Sequence, residues 1–422
     1  MTVLTCHLVL DACRRDYLTP ERAPFLAGIL GRSTVASMHS PPGFTQRTAM
    51  FTGQHPDTSG NLQAFGYAPE QSPFRWLRRI GPLATLYRPR KAFYPLRLLV
   101  RGVSRRLSGQ YHTDPAWIPG RYLPSFAPVE DQRPVFEPAA MPATSIFDLC
   151  RERARTFRYL AHPVSGDDAD VHARVLAAYA EPRPPDLVTA QFSDLDEGAH
   201  HLGPLVPDDV GPPASQTREE RDRMAKKLRG VDDRVRGIHD ALERTGRPFR
   251  LVVVGDHGMA PVRRRVDVLG ALRKTGLAPG RDYTVFVNST LVNVWYETAE
   301  ARRRVREALD AMPGGHVLAD RERASHRLLF SHRRYGDDLW AADPGTLCWP
   351  DYFHVVEHRI QGMHGYLDKR EEGTGVLVVD GHGVEARELG DRSLVDVFPT
   401  LCTSLGLPVP PSSEGASVLA PA

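Results

Sequence analysis

Four short segments of this sequence place carboxylate or imidazole side chains next to an apolar run or a glycine-rich turn. The segments are 8–18, 194–204, 252–259 and 362–366. Carboxylate and imidazole groups suit Zn, Mn or Fe, and a ligand set without thiolates is not typical of a purely structural zinc site. An isolated aspartate or histidine carries little information, but four such segments in one chain predict a metal centre.

The spacing within two of these segments shows how side chains could share ions. Asp196 and His200 lie four residues apart, so one helical turn or a tight loop brings both to a single ion. Asp256 and His257 are adjacent at the end of an apolar run, where successive side chains of a strand point to opposite sides and can serve two neighbouring ions. The candidate ligands of the other two segments are Asp11 and His364.

Short apolar runs indicate the elements that must position these ligands. Residues 4–10, 187–192, 249–254 and 375–379 have the length and composition of buried strands. Residues 217–245 carry apolar side chains at three- and four-residue steps, as in an amphipathic helix. Strands that alternate with helices are typical of a mostly parallel α/β sheet, whose ligands bind at the carboxyl ends of the strands. The pattern therefore places the acidic residues where chemistry is expected.

Two long stretches interrupt this predicted core. Residues 62–183 are rich in proline and arginine and are interpreted as an insertion. Residues 262–355 contain strand-like runs at 283–287 and 290–296 and a helix-like run at 299–311, which together predict an α+β cap. The catalytic core would then consist of residues 1–61, 184–261 and 356–422.

The composition is that of an ordinary globular protein. Hydrophobic residues make up 41% and charged residues 25% of the 422 residues, and the formal net charge is +3. No run reaches the roughly 18 apolar residues of a transmembrane helix. The five cysteines are scattered and form no Cys-x-x-Cys pair, which argues against a disulfide framework. Because residues 1–10 lack a basic start, and cleavage of a signal peptide there would also remove Asp11, we expect a cytoplasmic protein.

Taken in order, the four segments resemble the metal motifs of the alkaline phosphatase superfamily, in its nucleotide pyrophosphatase/phosphodiesterase branch. Residues 11–17 are similar to the first motif, and residues 256–259 match the Asp-His-Gly-Met element. The other matches are 196–204, 364–366 and the tail 396–415. The resemblance runs from residue 8 to residue 415. It implies an α/β, alkaline-phosphatase-like fold, with a mostly parallel sheet flanked by helices, an inserted α+β cap and a Pro/Arg-rich insertion.

The resemblance also implies two divalent metal ions, with Zn²⁺ expected first and Mn²⁺ or Fe as alternatives. One ion would be bound by Asp196, His200 and His364, and the other by Asp11, Asp256, His257 and the nucleophile. Asp194 and His201 are rivals for the roles of their neighbours.

The nucleophile is where the match departs from the superfamily pattern. Residues 41–56 resemble the nucleophile turn and the helix that follows it. The usual position, nine residues before Thr52, is Gly43, which has no side chain to attack with and also counts against sulfatase chemistry. Thr45 is the nearest hydroxyl, and at a helix N-terminus it would lie where exposed amides favour an oxyanion. The alternatives are Ser40, Thr48 and a chain without a nucleophile.

Two residues are implied substrate contacts, Arg14 in the first motif and Asn61 near the place of the branch's phosphate-contacting asparagine. A polar turn residue after Gly60 is an equal alternative for Asn61. The activity implied is that of a phosphodiesterase or nucleotide pyrophosphatase. It would act on a small phosphoester, such as a nucleotide or nucleotide-sugar, through a metal-bound Thr45 and a phosphothreonine intermediate. A phosphomonoesterase or phosphonate hydrolase with the same ions, and a non-catalytic metal-holding protein, are the alternatives.

The segment 73–122 is strongly basic, with ten arginines and one lysine against a single acid, Asp114. Apolar residues between Leu96 and Leu107 follow a helical stripe, and arginines recur every four residues beside it. Such a helix can contact an anionic substrate, a membrane surface or a nucleic acid. A surface helix docked on the core is the plainer interpretation.

Overall fold

This computed structural model describes residues 3–86, 91–130, 132–161, 165–206, 211–213, 215–354, 359–367 and 373–420. Residues 87–90 of the basic segment and the predicted boundary at 355–356 lie outside the described residues. The strands are Leu4–Leu10 (β1), Thr34–His39 (β2), Phe65–Tyr67 (β3), Phe126–Pro128 (β4), Phe157–Leu160 (β5), Leu187–Phe192 (β6), Phe249–Gly255 (β7), Ala260–Pro261 (β8), Arg264–Val266 (β9), Tyr283–Val287 (β10), Leu291–Tyr296 (β11), Gly315–Val317 (β12), Asp338–Ala342 (β13), Thr346–Cys348 (β14), Gly362–Met363 (β15), Gly375–Gly381 (β16) and Arg387–Ser393 (β17). The helices are Pro24–Ile29 (α1), Gln46–Thr52 (α2), Pro56–Ser59 (α3), Tyr94–Ser108 (α4), Ile146–Glu152 (α5), Asp168–Tyr179 (α6), Asp194–Leu202 (α7), Arg218–Arg244 (α8), Val268–Lys274 (α9), Ala299–Asp310 (α10), Asp320–Ser325 (α11) and Val397–Leu405 (α12).

The largest sheet has the strand order β17-β2-β16-β7-β1-β6-β5. Strands β5, β6, β1 and β7 pair in parallel, and β2 pairs in parallel with β17. Only β16 is antiparallel to its neighbours among the strands of this sheet that the structure describes. The predicted mostly parallel α/β sheet is therefore confirmed.

This main sheet is buried on both faces. In β1, Leu8 and Leu10 belong to one apolar layer and Val9 to the other. Helix α8 covers the first layer with the apolar positions that the sequence predicts, and α12 covers the second. Burial on both faces explains why the central strands read as unbroken apolar runs. Their carboxyl ends carry the acidic segments to one edge of the sheet.

The cap contains a smaller antiparallel sheet, with the order β10-β11-β13-β12. Helix α10 packs against β11 and β12 through Val305 and Leu309, which are fully buried. The strands and helix predicted at 283–311 are present, with ends shifted by one residue.

The stretch 62–183 does not behave as one insertion. Phe65 and Phe126 share an apolar cluster with Val285 and Trp295, so its first half packs on the cap. Its second half contributes β5, which pairs with β6 as an edge strand of the main sheet. With only four residues, β5 gave too weak a pattern to be recognised in a proline- and arginine-rich context. The predicted domain boundaries otherwise stay a prediction.

Helix α4 forms where the apolar stripe of the basic segment predicts it. Val100 is buried, but Leu99 and Leu107 are 58% and 61% exposed. The stripe therefore only partly docks on the core. No helix in the described ranges has the length and apolar character needed to cross a membrane.

Candidate metal centre and active site

Helix α7 begins directly after β6 and carries two of the predicted ligands. Asp196 and His200 lie one helical turn apart, with His200 Nε2 at 3.4 Å from Asp196 Oδ2. His364 reaches the same carboxylate from the turn after β15, with its Nε2 at 3.7 Å from Asp196 Oδ1. These three residues are called the first ligand set.

The ring of His200 is oriented by a hydrogen bond at Nδ1, on the side away from Asp196. Its Nδ1 lies 2.9 Å from the carbonyl oxygen of Gly362, an arrangement in which Nδ1–H donates and Nε2 faces Asp196. A carbonyl partner of this kind is typical of metal-binding histidines, because it selects the tautomer and holds the ring. A Cβ at Gly362 would lie 2.5 Å from the carbonyl oxygen of Ala199, so only glycine allows this approach.

The second ligand set comes from the ends of β1 and β7, which are adjacent and parallel. It consists of Asp11, Asp256 and His257, with His257 Nε2 at 3.1 Å from Asp11 Oδ1 and 3.9 Å from Asp256 Oδ1. The alternation of side chains along a strand allowed Asp256 and His257 to serve two different ions. The structure instead groups both residues with Asp11. A Cβ at Gly255 would lie 1.9 Å from the carbonyl oxygen of Cys13, so the glycine lets these two strand ends meet.

The two sets adjoin, and their donor atoms fit cations. The rings of His257 and His364 stack with centroids 3.9 Å apart and planes 7° apart. Within each set, the ligand atoms lie within 4.8 Å of one another. Asp196 Oδ1 and His364 Nδ1 are buried and have no hydrogen-bond partner among the described residues. Such unsatisfied oxygen and nitrogen atoms are costly unless a cation or another partner is bound.

The electrostatics of the second set indicate excess negative charge. Burial and repulsion from Asp11 raise the pKa of Asp256 to about 7. Burial acts against a charge on His257, but Asp256 and Asp11 outweigh it and raise the pKa of His257 to about 10. Two carboxylates competing for one imidazole are thus the defining feature of this set.

The electrostatics of the first set have the opposite sense. Burial acts to raise the pKa of Asp196, but His200 and His364 outweigh it and lower that pKa. Burial, together with the charge of His257, lowers the pKa of His364. The single carboxylate of this set is therefore held ionised by its histidines.

Thr45 lies at the N-cap of α2 and is 8% exposed. Its hydroxyl does not cap the helix; it donates to the carbonyl oxygen of Asn61 at 3.1 Å. The amide of Thr48, which an N-cap hydroxyl would usually bind, donates to Glu130 instead. Phe44, next to Thr45, packs edge-on against His364 with ring centroids 5.1 Å apart. The neighbours of Thr45 thus contact the ligand residues, since Gly43 and Gln46 also line a cavity with His364, and the Thr45 hydroxyl is not hydrogen-bonded to the helix.

The spacing departure at the nucleophile has a steric cause. Gly43 has a φ of 93°, and a Cβ there would lie 1.9 Å from the carbonyl oxygen of Leu62. No residue with a side chain fits at the usual position, so any nucleophile must stand elsewhere. Ser40 lines a cavity of about 60 Å³ with His257 and His364 and stays an alternative, whereas the Thr48 hydroxyl donates to Glu130.

The two predicted substrate contacts are both buried. Asn61 donates from Nδ2 to the hydroxyl of Thr48 at 3.0 Å, which links it to the nucleophile turn. Arg14 is 1% exposed; it forms two hydrogen bonds with Asp16 and one with the carbonyl oxygen of Met259. This burial argues against the predicted substrate contact for Arg14, because its guanidinium is committed to holding the first motif against the segment after β7.

The structure also places Asp194, one of the two rivals for a ligand role, and two site residues that the sequence analysis did not predict. Asp194 forms ion pairs with Lys227 and Arg234 on α8, outside both ligand sets. The site also uses Gln191, whose Nε2 donates to Asp11 Oδ2 at 2.8 Å, and Glu130. Gln191 was detectable as the one polar side chain near the end of an apolar strand, whereas no local signal distinguishes Glu130.

Comparison with known proteins agrees with this geometry. The family described as type I phosphodiesterase / nucleotide pyrophosphatase matches residues 118–367, more than half of the chain. A search of the curated proteins gave no match. Among solved structures, murine ectonucleotide pyrophosphatase/phosphodiesterase 5 has a TM-score of 0.64 at 16% identity, covering 97% of this chain and 96% of that one. An inactive threonine-to-alanine variant of the murine protein in complex with AMP scores 0.65 at 16% identity, again covering 97% and 96%. The human counterpart scores 0.65 at 16% identity, covering 99% and 97%. The structural likeness shows the same fold, and on the family match the chain belongs to the type I phosphodiesterase / nucleotide pyrophosphatase family.

Proposed function

We propose that this protein hydrolyses a phosphodiester or pyrophosphate bond with Thr45 as the nucleophile and two divalent cations as cofactors. The observation that carries the proposal is the junction of two carboxylate–imidazole sets, joined by the stacked rings of His257 and His364. The turn that carries Thr45 reaches this junction through the contact of Phe44 with His364. Family membership supports the reaction class.

The residues present fit the implied cations. Asp196, His200 and His364 would hold one, and Asp11, Asp256, His257 and Thr45 the other. When bound, such cations neutralise phosphoryl oxygens and lower the pKa of a bound hydroxyl or water. Mixed carboxylate and imidazole donors suit Zn²⁺ first, with Mn²⁺ or Fe as alternatives.

The chain's own residues would act by positioning. The carbonyl oxygen of Asn61 accepts a hydrogen bond from the Thr45 hydroxyl, and the Glu130 carboxylate accepts one from the Thr48 amide. Because the helix does not use the Thr45 oxygen as a cap, this oxygen can turn toward phosphorus. Attack by Thr45 Oγ in line with the leaving oxygen forms a phosphothreonine ester as the bond from phosphorus to the leaving group breaks. The leaving group departs as the alcohol of a diester or the phosphate of a pyrophosphate and takes up the proton that Thr45 loses. Water then hydrolyses this ester. The α2 N-terminus, at which Thr45 lies, favours the negative charge that develops on the phosphoryl group.

We propose a nucleotide or nucleotide-sugar as the natural substrate class. The support is the AMP complex of the murine relative, together with the family description. AMP binding by this chain, measured by calorimetry, tests the assignment. A fluorescent or radiolabelled dinucleotide would test cleavage.

Turnover of two chromogenic esters tests the reaction type. The purified protein, with Zn²⁺ or Mn²⁺ added, is assayed with bis-p-nitrophenyl phosphate and with p-nitrophenyl phosphate. We expect preference for the diester, loss of turnover by roughly 10³-fold or more in Thr45→Ala, and partial retention in Thr45→Ser. Acid quenching during turnover should leave a phosphoryl adduct on the peptide that contains Thr45.

Other outcomes identify the alternatives. Preference for the monoester would indicate a phosphomonoesterase, and activity on phosphonates a phosphonate hydrolase. A protein that binds metal but cleaves neither ester would be the non-catalytic alternative. If Thr45→Ala kept wild-type rates while Ser40→Ala lost them, Ser40 would be the nucleophile.

We further propose that the basic segment 73–122 contacts an anionic surface, of a substrate or a membrane. Arg105 and Arg106 are exposed and form no ion pair with any residue that the structure describes, and Leu98 and Leu99 are 47% and 58% exposed beside them. Such arginines contribute about 1 kcal/mol each near an anionic bilayer. The fraction of protein that sediments with phosphatidylserine vesicles should be lower in an Arg105→Glu, Arg106→Glu double variant. If the unaltered protein bound uncharged vesicles equally well, contact with an anionic membrane would be contradicted.

A cytoplasmic location also stays a proposal. It is supported by the five cysteines, which are all buried and free. Fractionation of expressing cells would test it.

A further inference from the structure

A histidine outside the predicted ligands, His354, lies beside the first ligand set. It is in a turn after β14, and its ring centroid is 5.7 Å from that of His200, with the ring planes tilted by 39°. It is not one of the three residues whose donor atoms group around Asp196. Metal binding by the predicted ligands therefore leaves the role of His354 unexplained.

The ring of His354 is held on one side by a buried carboxylate. Its Nδ1 lies 3.0 Å from Asp351 Oδ2 and 3.2 Å from Ser289 Oγ, and that hydroxyl also donates to Asp351 at 2.7 Å. Burial acts to raise the pKa of Asp351, but hydrogen bonds from His354 and Ser289 outweigh it and lower that pKa. Because an ionised carboxylate only accepts hydrogen bonds, Nδ1 carries the proton that it receives.

The nitrogen left available is Nε2. Nδ1 has two side-chain partners, whereas Nε2 has no hydrogen bond to any residue in the described part of the chain. The side chain keeps 20% of its surface exposed, although the carboxylate that holds it is completely buried. A ring fixed at Nδ1 by a carboxylate presents its other nitrogen in a defined direction, as in metal sites and catalytic dyads. Here that ring borders His200.

The geometry of in-line phosphoryl transfer indicates which part of the substrate His354 Nε2 contacts. In an in-line displacement, nucleophile and leaving group lie on opposite sides of phosphorus. Under the proposed function, on which this inference rests, Thr45 acts with the second ligand set, so the leaving group lies toward the first. We infer that His354 binds the leaving-group portion of the phosphoester through Nε2, as a substrate-positioning residue. Asp351 and Ser289 hold the ring for this contact.

A pair of variants separates this role from a structural one. An asparagine at position 354 can place an amide near the position of Nδ1 and keep a donor for Asp351, whereas a glutamine amide reaches toward that of Nε2. In the Thr45→Ala background, with metal present, calorimetry compares bis-p-nitrophenyl phosphate with inorganic phosphate, which has no leaving group. We expect His354→Asn to weaken diester binding roughly five- to tenfold and leave phosphate binding unchanged. His354→Gln should restore part of the loss.

Three results would overturn the inference. They are unchanged diester binding in His354→Asn, equal weakening of both ligands, and a loss in His354→Gln as large as in His354→Asn. The matched control is His316→Asn, which alters an exposed cap histidine that contacts Glu322 and should change neither affinity. Bound metal is measured in every variant, because His354 adjoins His200.

The same proteins distinguish failure of this inference from failure of the proposed function. If the chain with Thr45 intact binds the diester but does not cleave it, the proposed activity is wrong, and the binding comparison at His354 still decides whether that residue contacts the ester. If the diester is cleaved while His354→Asn binds it normally, the activity stands and the role of His354 is refuted.

Discussion

The two ligand sets lie side by side but differ in charge and in the elements that hold them. The first has one carboxylate and two imidazoles, carried by α7 and the turn after β15. The second has two carboxylates and one imidazole at the ends of two adjacent parallel strands. Negative charge is therefore balanced within the first set but not within the second.

The pKa shifts report the same difference. The histidines of the first set lower the pKa of Asp196, so its charge is stabilised by protein groups alone. In the second set, burial and Asp11 raise the pKa of Asp256 to about 7, so two ionised carboxylates there are unfavourable without added positive charge. The second set thus depends more strongly on a bound cation, whereas the first is closer to neutral in the metal-free protein.

Removing a ligand from either set should give the largest effect. We expect Asp256→Ala and His364→Ala each to reduce kcat/KM for the diester by roughly 10³-fold or more, because cation stabilisation of phosphoryl charge is worth several kcal/mol. Stopped assays at saturating metal, with elemental analysis, measure both turnover and occupancy.

Asp194→Ala is the matched control for these ligand variants. Asp194 is an acid on α7 only two residues from Asp196, but it pairs with Lys227 and Arg234. Its removal should leave turnover within a fewfold of wild type. Wild-type rates in Asp256→Ala or His364→Ala would refute the ligand assignment.

Metal removal should make stability depend on pH in opposite ways for the two acids. The folded-state pKa of Asp256 is raised from 3.8 to about 7, so its contribution is fully present below about pH 4 and is lost as pH rises through 7. The pKa of Asp196 is lowered, so its contribution is present above its ordinary value and is lost on acidification. We expect chelator-treated protein to lose up to about 4 kcal/mol between pH 4 and 8 through Asp256.

Urea unfolding of the metal-free protein at several pH values measures this effect. Asp256→Asn should flatten the decline above pH 4, whereas Asp196→Asn should not. Restoring Zn²⁺ to the wild-type protein should remove the decline, because a bound cation supplies the missing positive charge. A metal-free Asp256→Asn protein with the same pH profile as wild type would contradict the charge difference between the sets.

Most of the ligands could be located from the sequence because local geometry marks them, whereas their grouping into two sets was implied by the resemblance to the family. One helical turn joins Asp196 to His200, and the ends of apolar runs locate Asp11 and Asp256. Glu130, which orients the nucleophile turn, depends on a contact across a long sequence distance, and nothing in its local sequence indicates that contact. Glu130 reaches the nucleophile turn from 82 residues away in a proline-rich stretch. The short strand β5 was missed for the same reason, since only its pairing with β6 distinguishes it.

The smallest expected effect is at Gln191, which orients the second set alone. Its Nε2 donates to Asp11 Oδ2 at 2.8 Å, while the corresponding support in the first set is the backbone carbonyl of Gly362. Gln191→Leu should weaken metal affinity by about 10- to 100-fold, as is usual for partners that hold a ligand, and leave kcat near wild type at saturating metal. Thr189→Val, two residues earlier on the same face of β6, is the control, because the hydroxyl of Thr189 has no hydrogen-bond partner among the described residues. Competition with a chromogenic chelator measures affinity for each ion. A loss confined to one of the two ions would show that the sets bind metal independently, whereas an equal loss of both would mean that the stacked histidines couple them.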